Sequence, residues 1–450
     1  MSTSAAKRIA SINTTQMLLK PCIQHAAVLA FGMGTWLSVN SLYVQLPYLV
    51  NFVPENWGII TYMVLIVQTA CIAPLIYGII DSVLEKNKLW SSIRVILIPI
   101  MLIISAGALL MSAFVYDTPT VVDSKQHSVL LFVAFLLMSI PCTTSDVLFC
   151  PFITRFASSK FVTTFFIGMG LSALVPSSVT LIQGTGYHFN STSVSHWGPS
   201  GNGLLFGVRS FLVMMAALHI LSFLGFLIIK TTTVDSSDLT LNISKDSRIT
   251  FEFETDKMSA VDARNSQRSN PNDTMESDSS IVLPSISRFA WNLHLISSVI
   301  LGAIQNGITP IILNKAIEPY GQQLYHLVNA LCVLANPLAC FLQFFIIFRR
   351  TPVFIIWTSA CLILTIVGFV FALLPYRIED LYFQPTISLV FVLASALLSW
   401  ERAAIAQILR ETTSSRGLFW WGAATQFGSF LGATVMFVLD NVFGIFPSRY

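Results

Sequence analysis

The stretch FGMGTWLSVNSLYVQLP, residues 31–47, decides how this chain is organised. It is apolar enough to form the inner part of a membrane-spanning helix, which needs about 20 mainly apolar residues. Yet it carries seven side chains that can hydrogen-bond, has two glycines near its start and ends at Pro47. A polar side chain left unpaired in hydrocarbon costs free energy, so these side chains need protein or water as partners. We therefore predict that residues 31–47 line a polar pathway through a membrane protein.

Composition places the chain in a membrane. Of its 450 residues, 54% are hydrophobic and only 10% are charged, whereas a soluble domain has about 25% charged residues. Long apolar segments cross a bilayer as helices, because a helix pairs its own backbone polar groups. The sequence therefore predicts an all-α polytopic membrane protein in contact with the lipid bilayer.

Eleven apolar segments are long enough to cross the bilayer. The tenth runs into Glu401 and Arg402, and without it the C-terminus would return to the cytosol. The predicted spans are residues 22–46, 57–80, 93–115, 128–149, 162–183, 205–230, 289–313, 323–348, 353–375, 386–408 and 417–440.

Lysine and arginine indicate the orientation, because cytosolic loops are enriched in both. With the N-terminus in the cytosol, 20 of the 25 Lys and Arg residues fall in cytosolic tails, loops and span ends, and five fall outside. We therefore predict a cytosolic N-terminus and an extracellular C-terminus.

Residues 231–288 interrupt the pattern of spans. They hold ten of the chain's 22 acidic residues and few large apolar residues, which predicts a disordered cytosolic linker. Asn190, in the sequon NST of a predicted outer loop, is the expected glycosylation site. The predicted order is a cytosolic tail, a six-helix bundle, the linker, a five-helix bundle and an extracellular tail, at residues 1–21, 22–230, 231–288, 289–440 and 441–450.

Corresponding places in the two halves carry polar residues in segments interrupted by Gly and Pro. In span one, Asn40 is followed by Pro47. In span seven, GAIQNGITP (residues 302–310) places Gln305 and Asn306 before a proline. Interruptions at matching places in two repeats are the best sequence pointer to a transporter's binding site. We therefore predict that these amides face a central site.

Span eight adds a polar helix face. Tyr325, Asn329 and Asn336 recur at intervals of four and seven residues, so they share one side of the helix. They fit a binding wall, but asparagines at such spacing also join helices to one another. For Asn336, next to Pro337, both interpretations stay open.

Ionisable residues are almost absent at mid-depth, where a charge costs roughly 2.5–3.5 kcal/mol on insertion scales. The spans offer no buried carboxylate for a cation and no buried arginine for a phosphate. Asp146 ends span four and is expected to pair with Arg155 or Lys160, or else to act in coupling. His219 is the candidate for proton coupling, with a neutral, hydrogen-bonded histidine as the alternative. These observations favour a neutral, polar, planar substrate.

The candidate substrate-binding residues combine aromatic faces for stacking with amides for polar edges. They are Trp36, Asn40, Tyr43, Gln45, Gln305, Asn306, Tyr325 and Asn329. The spans contain no motif of a metalloprotease, serine hydrolase or nucleotide-binding loop and no paired carboxylates. The seven cysteines form no metal-binding spacing. We therefore predict no enzyme activity, no cofactor, no metal site and no nucleic-acid partner.

Three stretches together resemble the eukaryotic riboflavin transporter family of solute carriers. They are residues 31–47 quoted above, PFITRFASSKFVTTFFIGMGLSALVPSSVTLIQG (151–184), and NGITP with PYGQQLYHLVNALCVLANPLACF (306–310 and 319–341). A looser match is TQFGSFLGATVMF (425–437).

The resemblance implies eleven spans with a long loop after the sixth, and a fold similar to equilibrative nucleoside transporters, which is major-facilitator-like. It also implies facilitated riboflavin uptake across the plasma membrane. In the family pattern, the binding wall includes residues that match Trp36, Asn40, Asn306 and Tyr325.

Two positions depart from the family pattern. Gln45 stands where the family more often has Glu in the motif VELP, and an amide cannot titrate as a buried carboxylate can. Asp146 stands where the family commonly has Asn. Alternative functions are a carrier for another neutral aromatic metabolite such as a nucleoside, a ligand-sensing receptor on a carrier fold and, third, a membrane enzyme.

Overall fold

The structure is a computed structural model that describes residues 22–84, 87–156, 159–184, 204–231, 287–342, 351–374, 378 and 382–447. The predicted glycosylation site, Asn190, lies outside the described residues, as do the N-terminal tail and almost all of the predicted linker.

The described elements are helices, apart from one short antiparallel hairpin that pairs Thr120 with His127. They are α1 (Cys22–Met33), α2 (Leu37–Leu49), α3 (Ile59–Ala70), α4 (Ile72–Leu84), α5 (Lys88–Val115), β1 (Thr120–Val122), β2 (Lys125–His127), α6 (Val129–Phe156), α7 (Ser159–Gln183), α8 (Val208–Thr231), α9 (Arg288–Gly302), α10 (Thr309–Ile317), α11 (Gln322–Leu342), α12 (Thr351–Leu373) and α13 (Phe383–Phe437).

The predicted all-helical membrane fold is confirmed. Within the described ranges, ten helical stretches are long and apolar enough to cross a membrane. The pair α1 and α2, bent by 52°, makes an eleventh if it is counted as one span. The seventh span is longer than predicted, since it runs from Arg288 to Tyr320.

Helix α13 contains two spans, Phe383–Leu409 and Trp420–Val442. A straight helix of its 55 residues would be about 80 Å long at 1.5 Å per residue. Yet the ring of Phe383 lies 5.7 Å from that of Tyr320, and Asp440, just beyond the other end, lies 2.9 Å from Lys315. Both ends of α13 therefore lie close to residues 315–320. A straight helix could not reach this segment at both ends, so α13 folds back on itself.

The break between α1 and α2 presents Trp36 at the start of α2. Thr35 Oγ1 donates 2.8 Å to the carbonyl oxygen of Gly32, and Trp36 occupies the N-cap of α2 with non-helical φ and ψ. Gly32 also lets α1 approach α7, because a Cβ on Gly168 of α7 would lie 3.0 Å from the Cα of Gly32. The glycines of the opening stretch thus serve both the bend and close helix packing.

A π-helical turn, Ala303–Ile308, joins α9 to α10 and carries Gln305 and Asn306. Such turns are rare and are frequent at functional sites. Pro310 follows in the first turn of α10, directly after the π-helical turn, and has no N–H to bond a carbonyl of that turn. The predicted interruption of span seven is therefore a wide turn within a continuous helical span.

The N-terminal half (residues 22–231) and the C-terminal half (residues 287–447) meet closely at the end of the bundle that carries the hairpin, here called the hairpin end. Glu55 marks this end, since its carboxylate accepts a 2.9 Å hydrogen bond from the backbone N–H of Ser128. Hydrogen bonds that cross between the halves here include Asn51 to Gln322 (2.8 Å), Gln322 to the Pro47 carbonyl, Asn314 to the Trp57 carbonyl (2.8 Å), Thr61 to Asp440 (2.7 Å), Asn329 to the Tyr43 carbonyl (2.8 Å) and His326 with the Thr180 carbonyl (3.1 Å).

An ion pair supports this closure. Lys315 Nζ lies 2.9 Å from Asp440 Oδ1, and the two side chains are only 15% and 8% exposed. The other carboxylate oxygen of Asp440 accepts the hydrogen bond from Thr61 of the N-terminal half. The pair therefore holds in place the carboxylate that bridges the halves.

We predict that Gly168→Ala destabilises the protein, because the added methyl would overlap the carbonyl oxygen of Leu29 and press on Gly32. Overpacking of this kind costs about 1–3 kcal/mol. The measurement is the melting temperature of the detergent-purified protein, which should fall by several degrees. The matched control is Gly107→Ala in α5, where a Cβ would meet no atom within 4 Å. Equal melting temperatures for both variants would contradict the close contact of α1 and α7.

We also predict that Lys315→Met destabilises more than the double variant Lys315→Met with Asp440→Leu. Removing one partner of a buried ion pair costs about 3–5 kcal/mol, because the other charge stays buried, whereas removing both costs less. Thermal unfolding in detergent measures the difference. Asp117→Asn is the control, because the Arg209–Asp117 pair is exposed and 3.7 Å apart, where a pair is worth about 0–1 kcal/mol. A double variant as unstable as the single one would argue against a buried pair.

Candidate functional site

Asn40 and Trp36 lie together at the start of α2, facing away from the hairpin end. Both are half-buried. Asn40 Nδ2 donates 3.2 Å to the carbonyl oxygen of Ser172 in α7, which orients the amide. An aromatic ring and an oriented amide thus lie side by side, and neither is sealed from water.

Gln305 is the centre of a polar network in the C-terminal half. Its Nε2 donates to Ser399 Oγ at 2.6 Å and to Asn336 Oδ1 at 3.5 Å. Ser399 also donates to Asn336 at 2.7 Å. The Oε1 atom of Gln305 accepts a 2.8 Å hydrogen bond from Arg402 Nη1. The network joins the π-helical turn, α11 and α13, so each member fixes the orientation of the next.

Asn306 points to a different neighbour. Its Nδ2 donates 2.9 Å to Ser429 Oγ in the last span, and Ser429 in turn donates to the carbonyl oxygen of Thr425. Asn306 is half-buried. The two predicted amides of span seven therefore bind the tenth and the eleventh span, respectively.

Arg402 corrects the prediction that no arginine is buried among the spans. It contacts Gln305, which is 17 residues from the start and 15 from the end of the span Arg288–Tyr320, and so lies near its midpoint. The prediction treated Arg402 as a cytosolic residue at a span end. The sequence did indicate a position among the helices, however, because Arg402 falls inside the predicted tenth span, residues 386–408.

Glu401 and Arg402 are neighbours in sequence, but they face opposite surroundings. Glu401 is fully buried in the C-terminal half, where its carboxylate accepts hydrogen bonds from Thr358 and from the thiol of Cys361. Arg402 is half-buried and turned towards Gln305. Successive residues of a helix point about 100° apart, which separates the two charges.

Asp146 of α6 brings a carboxylate from the N-terminal half. Its side chain is exposed. Among the described residues, Arg402 is the cation that interacts with it electrostatically, at a separation beyond ion-pair distance. The predicted pairing with Arg155 or Lys160 lies outside the described side chains.

Gln45 is placed differently from the residues at the start of α2. It is fully buried between α2 and α7, where Nε2 donates to Thr180 Oγ1 at 3.0 Å and to Gln183 Oε1 at 2.8 Å. In this conformation Gln45 joins two helices of the N-terminal half.

Three further predicted binding residues take part in closing the hairpin end. Tyr325 is 1% exposed and packs against Trp57 at 5.5 Å between ring centroids. Asn329 is buried and bonded to the carbonyl oxygen of Tyr43. The ring of Tyr43 is half-buried, edge-on to Phe135. These residues of α2 and α11 meet each other across the halves in this conformation.

His219, the predicted coupling residue, is fully buried in α8. Neither of its ring nitrogens has a hydrogen-bond partner within the described part of the chain. The same ranges contain no group of three or more His, Cys, Asp or Glu residues placed to hold a metal ion.

The polar side chains form one set of contacts in each half. Asn40 bonds α7 within the N-terminal half, while Gln305, Asn306 and Arg402 bond within the C-terminal half. Asp146 and Arg402 carry opposite charges and interact electrostatically across the halves.

The fold resembles solved transporters. The xylose transporter XylE from E. coli, in a partially occluded inward-open conformation, superposes with a TM-score of 0.53 at 13% sequence identity, covering 93% of this chain and 90% of that one. A point mutant of the nucleoside transporter NupG gives a TM-score of 0.50 at 14% identity, covering 94% and 92%. At such identities the likeness shows the fold, which is that of transporters.

Sequence relatives extend over almost the whole chain. The zebrafish (Danio rerio) solute carrier family 52, riboflavin transporter, member 3-A is 31% identical, covering 95% of this chain and 98% of the relative. The Caenorhabditis elegans riboflavin transporter rft-1 is 30% identical, covering 94% and 96%. The human member 3 is 27% identical, covering 95% and 97%.

The family model described as "Solute carrier family 52, riboflavin transporter" matches residues 20–448. The match includes both halves and the polar stretches around Asn40, Gln305 and Arg402, so the resemblance found in three stretches of sequence extends over the chain. This protein belongs to solute carrier family 52, the riboflavin transporters.

Proposed function

We propose that this protein carries riboflavin across the plasma membrane into the cell by alternating access, with the six-helix bundle moving against the five-helix bundle. The observation that carries the proposal is that the chain belongs to solute carrier family 52. On this proposal the substrate region lies among the oriented polar groups of Asn40, Gln305, Asn306 and Arg402. Transport, rather than chemical conversion of the substrate, is the task of such a site.

Riboflavin matches this region chemically. It is neutral, its flat tricyclic ring offers a face for Trp36, and its ribityl hydroxyls and imide edge suit the amides of Asn40, Gln305 and Asn306. A ligand pocket combines apolar and aromatic walls with a few oriented polar groups. Gln305 and Asn306 are oriented by Ser399 and Ser429, as such a pocket requires.

Closure of the hairpin end supports alternating access. Several hydrogen bonds join the halves there, while Asp146 and Arg402 are not in contact. Opening the hairpin end would release Tyr325, Asn329 and Tyr43 from one another and expose them. On this proposal these three residues contact riboflavin in the state that is open at the hairpin end. Gln45 acts there by positioning α2 against α7.

The hairpin end is the extracellular end on this proposal. The count of Lys and Arg supports it, since 19 of the 25 remain on the cytosolic side even when Arg402 is removed from the original 20. The N-terminus is then cytosolic and the C-terminus extracellular, and His219 lies within a span, where it is the histidine to test for proton coupling.

We predict that Asn40→Ala and Asn306→Ala each reduce uptake of labelled riboflavin at least several-fold in cells that express the protein. Each variant removes an oriented amide from the proposed site, and a site built to hydrogen-bond its substrate loses affinity when a partner is missing. Surface biotinylation checks that the variants reach the plasma membrane in normal amounts.

The matched control is Asn441→Ala, since Asn441 is exposed near the C-terminus and bonds only to a nearby carbonyl of its own helix. Normal uptake by both site variants would reject the site. Wild-type protein at the surface that takes up no riboflavin, or that is blocked equally well by an unlabelled nucleoside, would reject the substrate.

Asn190→Gln tests the orientation. If the loop that holds Asn190 is extracellular, it is glycosylated during synthesis, and the wild-type protein runs faster on a gel after glycosidase treatment. The variant should run at the faster position without treatment. A variant that still shifts with glycosidase, or a wild-type protein that never shifts, would contradict this assignment.

A further inference from the structure

The guanidinium of Arg402 is held on one side by the protein and, within the described part of the chain, lacks a hydrogen-bond partner at its Nε atom. Its Nη1 atom is held by Gln305, which the Ser399 and Asn336 network keeps in one orientation. Its Nε atom is buried and has no hydrogen-bond partner among the described residues. The guanidinium is thus fixed in direction while part of its donor edge is unused.

A structural role alone does not account for this arginine. A charge placed among transmembrane helices costs roughly 2.5–3.5 kcal/mol even on insertion scales, and buried arginines normally use their donors on a carboxylate. Asp146 is the described carboxylate that faces Arg402, and it stays beyond ion-pair distance on the opposite half. The two groups carry opposite charges but are not in contact, so neither serves as the other's hydrogen-bond partner.

We propose that Arg402 recognises the flavin ring directly, by donating two hydrogen bonds to one of the ring's pairs of adjacent acceptors, N1 with the C2 carbonyl oxygen or N5 with the C4 carbonyl oxygen. This inference rests on the proposed function and specifies which atoms of the substrate Arg402 binds. A guanidinium is planar and presents parallel N–H donors, so it fits two neighbouring acceptors where an ammonium group does not.

The surrounding residues fit this role. Asp146, on the opposite half, carries the charge that offsets Arg402, so a neutral ring would be bound without a net charge in the proposed site. Gln305 acts as a positioning residue, because its contact is with the guanidinium and its own side chain is held by Ser399. Trp36 then stacks on the face of the ring, and Asn40 bonds the ribityl hydroxyls.

The test compares riboflavin with 1-deazariboflavin and 5-deazariboflavin, in which a ring nitrogen acceptor is replaced by a C–H of the same size. Binding is measured by titration of detergent-purified protein. In the wild-type protein one of the two analogues should bind at least tenfold more weakly than riboflavin. In Arg402→Gln and Arg402→Lys, riboflavin itself should bind about tenfold more weakly, and the analogue should now bind as well as riboflavin.

Arg209→Gln is the matched control, since Arg209 is an exposed arginine at the hairpin end, and it should keep wild-type binding of all three ligands. Elution volume and melting temperature show whether each variant is folded. A folded Arg402→Gln variant that binds riboflavin normally, or that still discriminates against the analogue, would overturn the inference. Wild-type protein that binds both analogues as tightly as riboflavin would overturn it even if no Arg402 variant folds.

These outcomes differ from failure of the proposed function. Wild-type protein that neither binds nor takes up riboflavin would reject the function. Wild-type protein that takes up riboflavin but shows no dependence on the nitrogen acceptors would reject only the role of Arg402.

Discussion

The cost of leaving polar groups unpaired inside hydrocarbon governs this structure. Water is not available in the core of a bilayer, so most buried amides and imidazoles bond to another helix, and His219 is an exception within the described residues. At the hairpin end, amides and a histidine solve the problem by bonding backbone carbonyls of the opposite half, as Asn329 and His326 do. Those bonds close one end of the molecule, and an alternating-access carrier must be able to break them. Neutral hydrogen bonds suit that role because each contributes only about 0.5–1.5 kcal/mol.

Charged groups obey the same constraint in a different way. Lys315 and Asp440 pair directly and brace the closed end, whereas Asp146 and Arg402 face each other from opposite halves without contact. The first pair is satisfied inside one half and so can survive movement of the halves. The second pair is not in contact, and part of the Arg402 guanidinium has no partner among the described residues. The two pairs therefore differ: one braces the closed end, and the other holds the arginine that we propose binds the substrate.

Irregular backbone places the proposed binding groups. The bend after Met33 presents Trp36, and the π-helical turn at Ala303–Ile308 turns Gln305 and Asn306 to different neighbours. The interruption of span seven was predicted from its glycines and proline, which mark places where a regular helix ends or bends. In span one the predicted interruption at Pro47 is wrong, because Pro47 lies inside α2 and the bend falls between Met33 and Leu37. The form of these two features was not predictable from the residues, since a π-turn and a bend can arise from similar sequences, and packing of Gly302 and Gly307 against the last span accompanies the π-turn here.

Composition and the length of the apolar segments were enough to predict a helical membrane protein, and long motifs were enough to predict its family. The hydrophobicity and the motifs of each segment can be read without knowing which helices pack against it, so the fold class and the family were predictable. Which way a polar side chain faces depends on which helix lies beside it. For that reason Gln45, predicted as a ligand, is found bonded between α2 and α7, and Arg402, read from the sequence as a cytosolic charge, is found against Gln305 at mid-span. Glu401 and Arg402 show the reason. They are adjacent in sequence, yet Glu401 is buried against Thr358 and Cys361 while Arg402 bonds Gln305, and only the packing of neighbouring helices decides these surroundings.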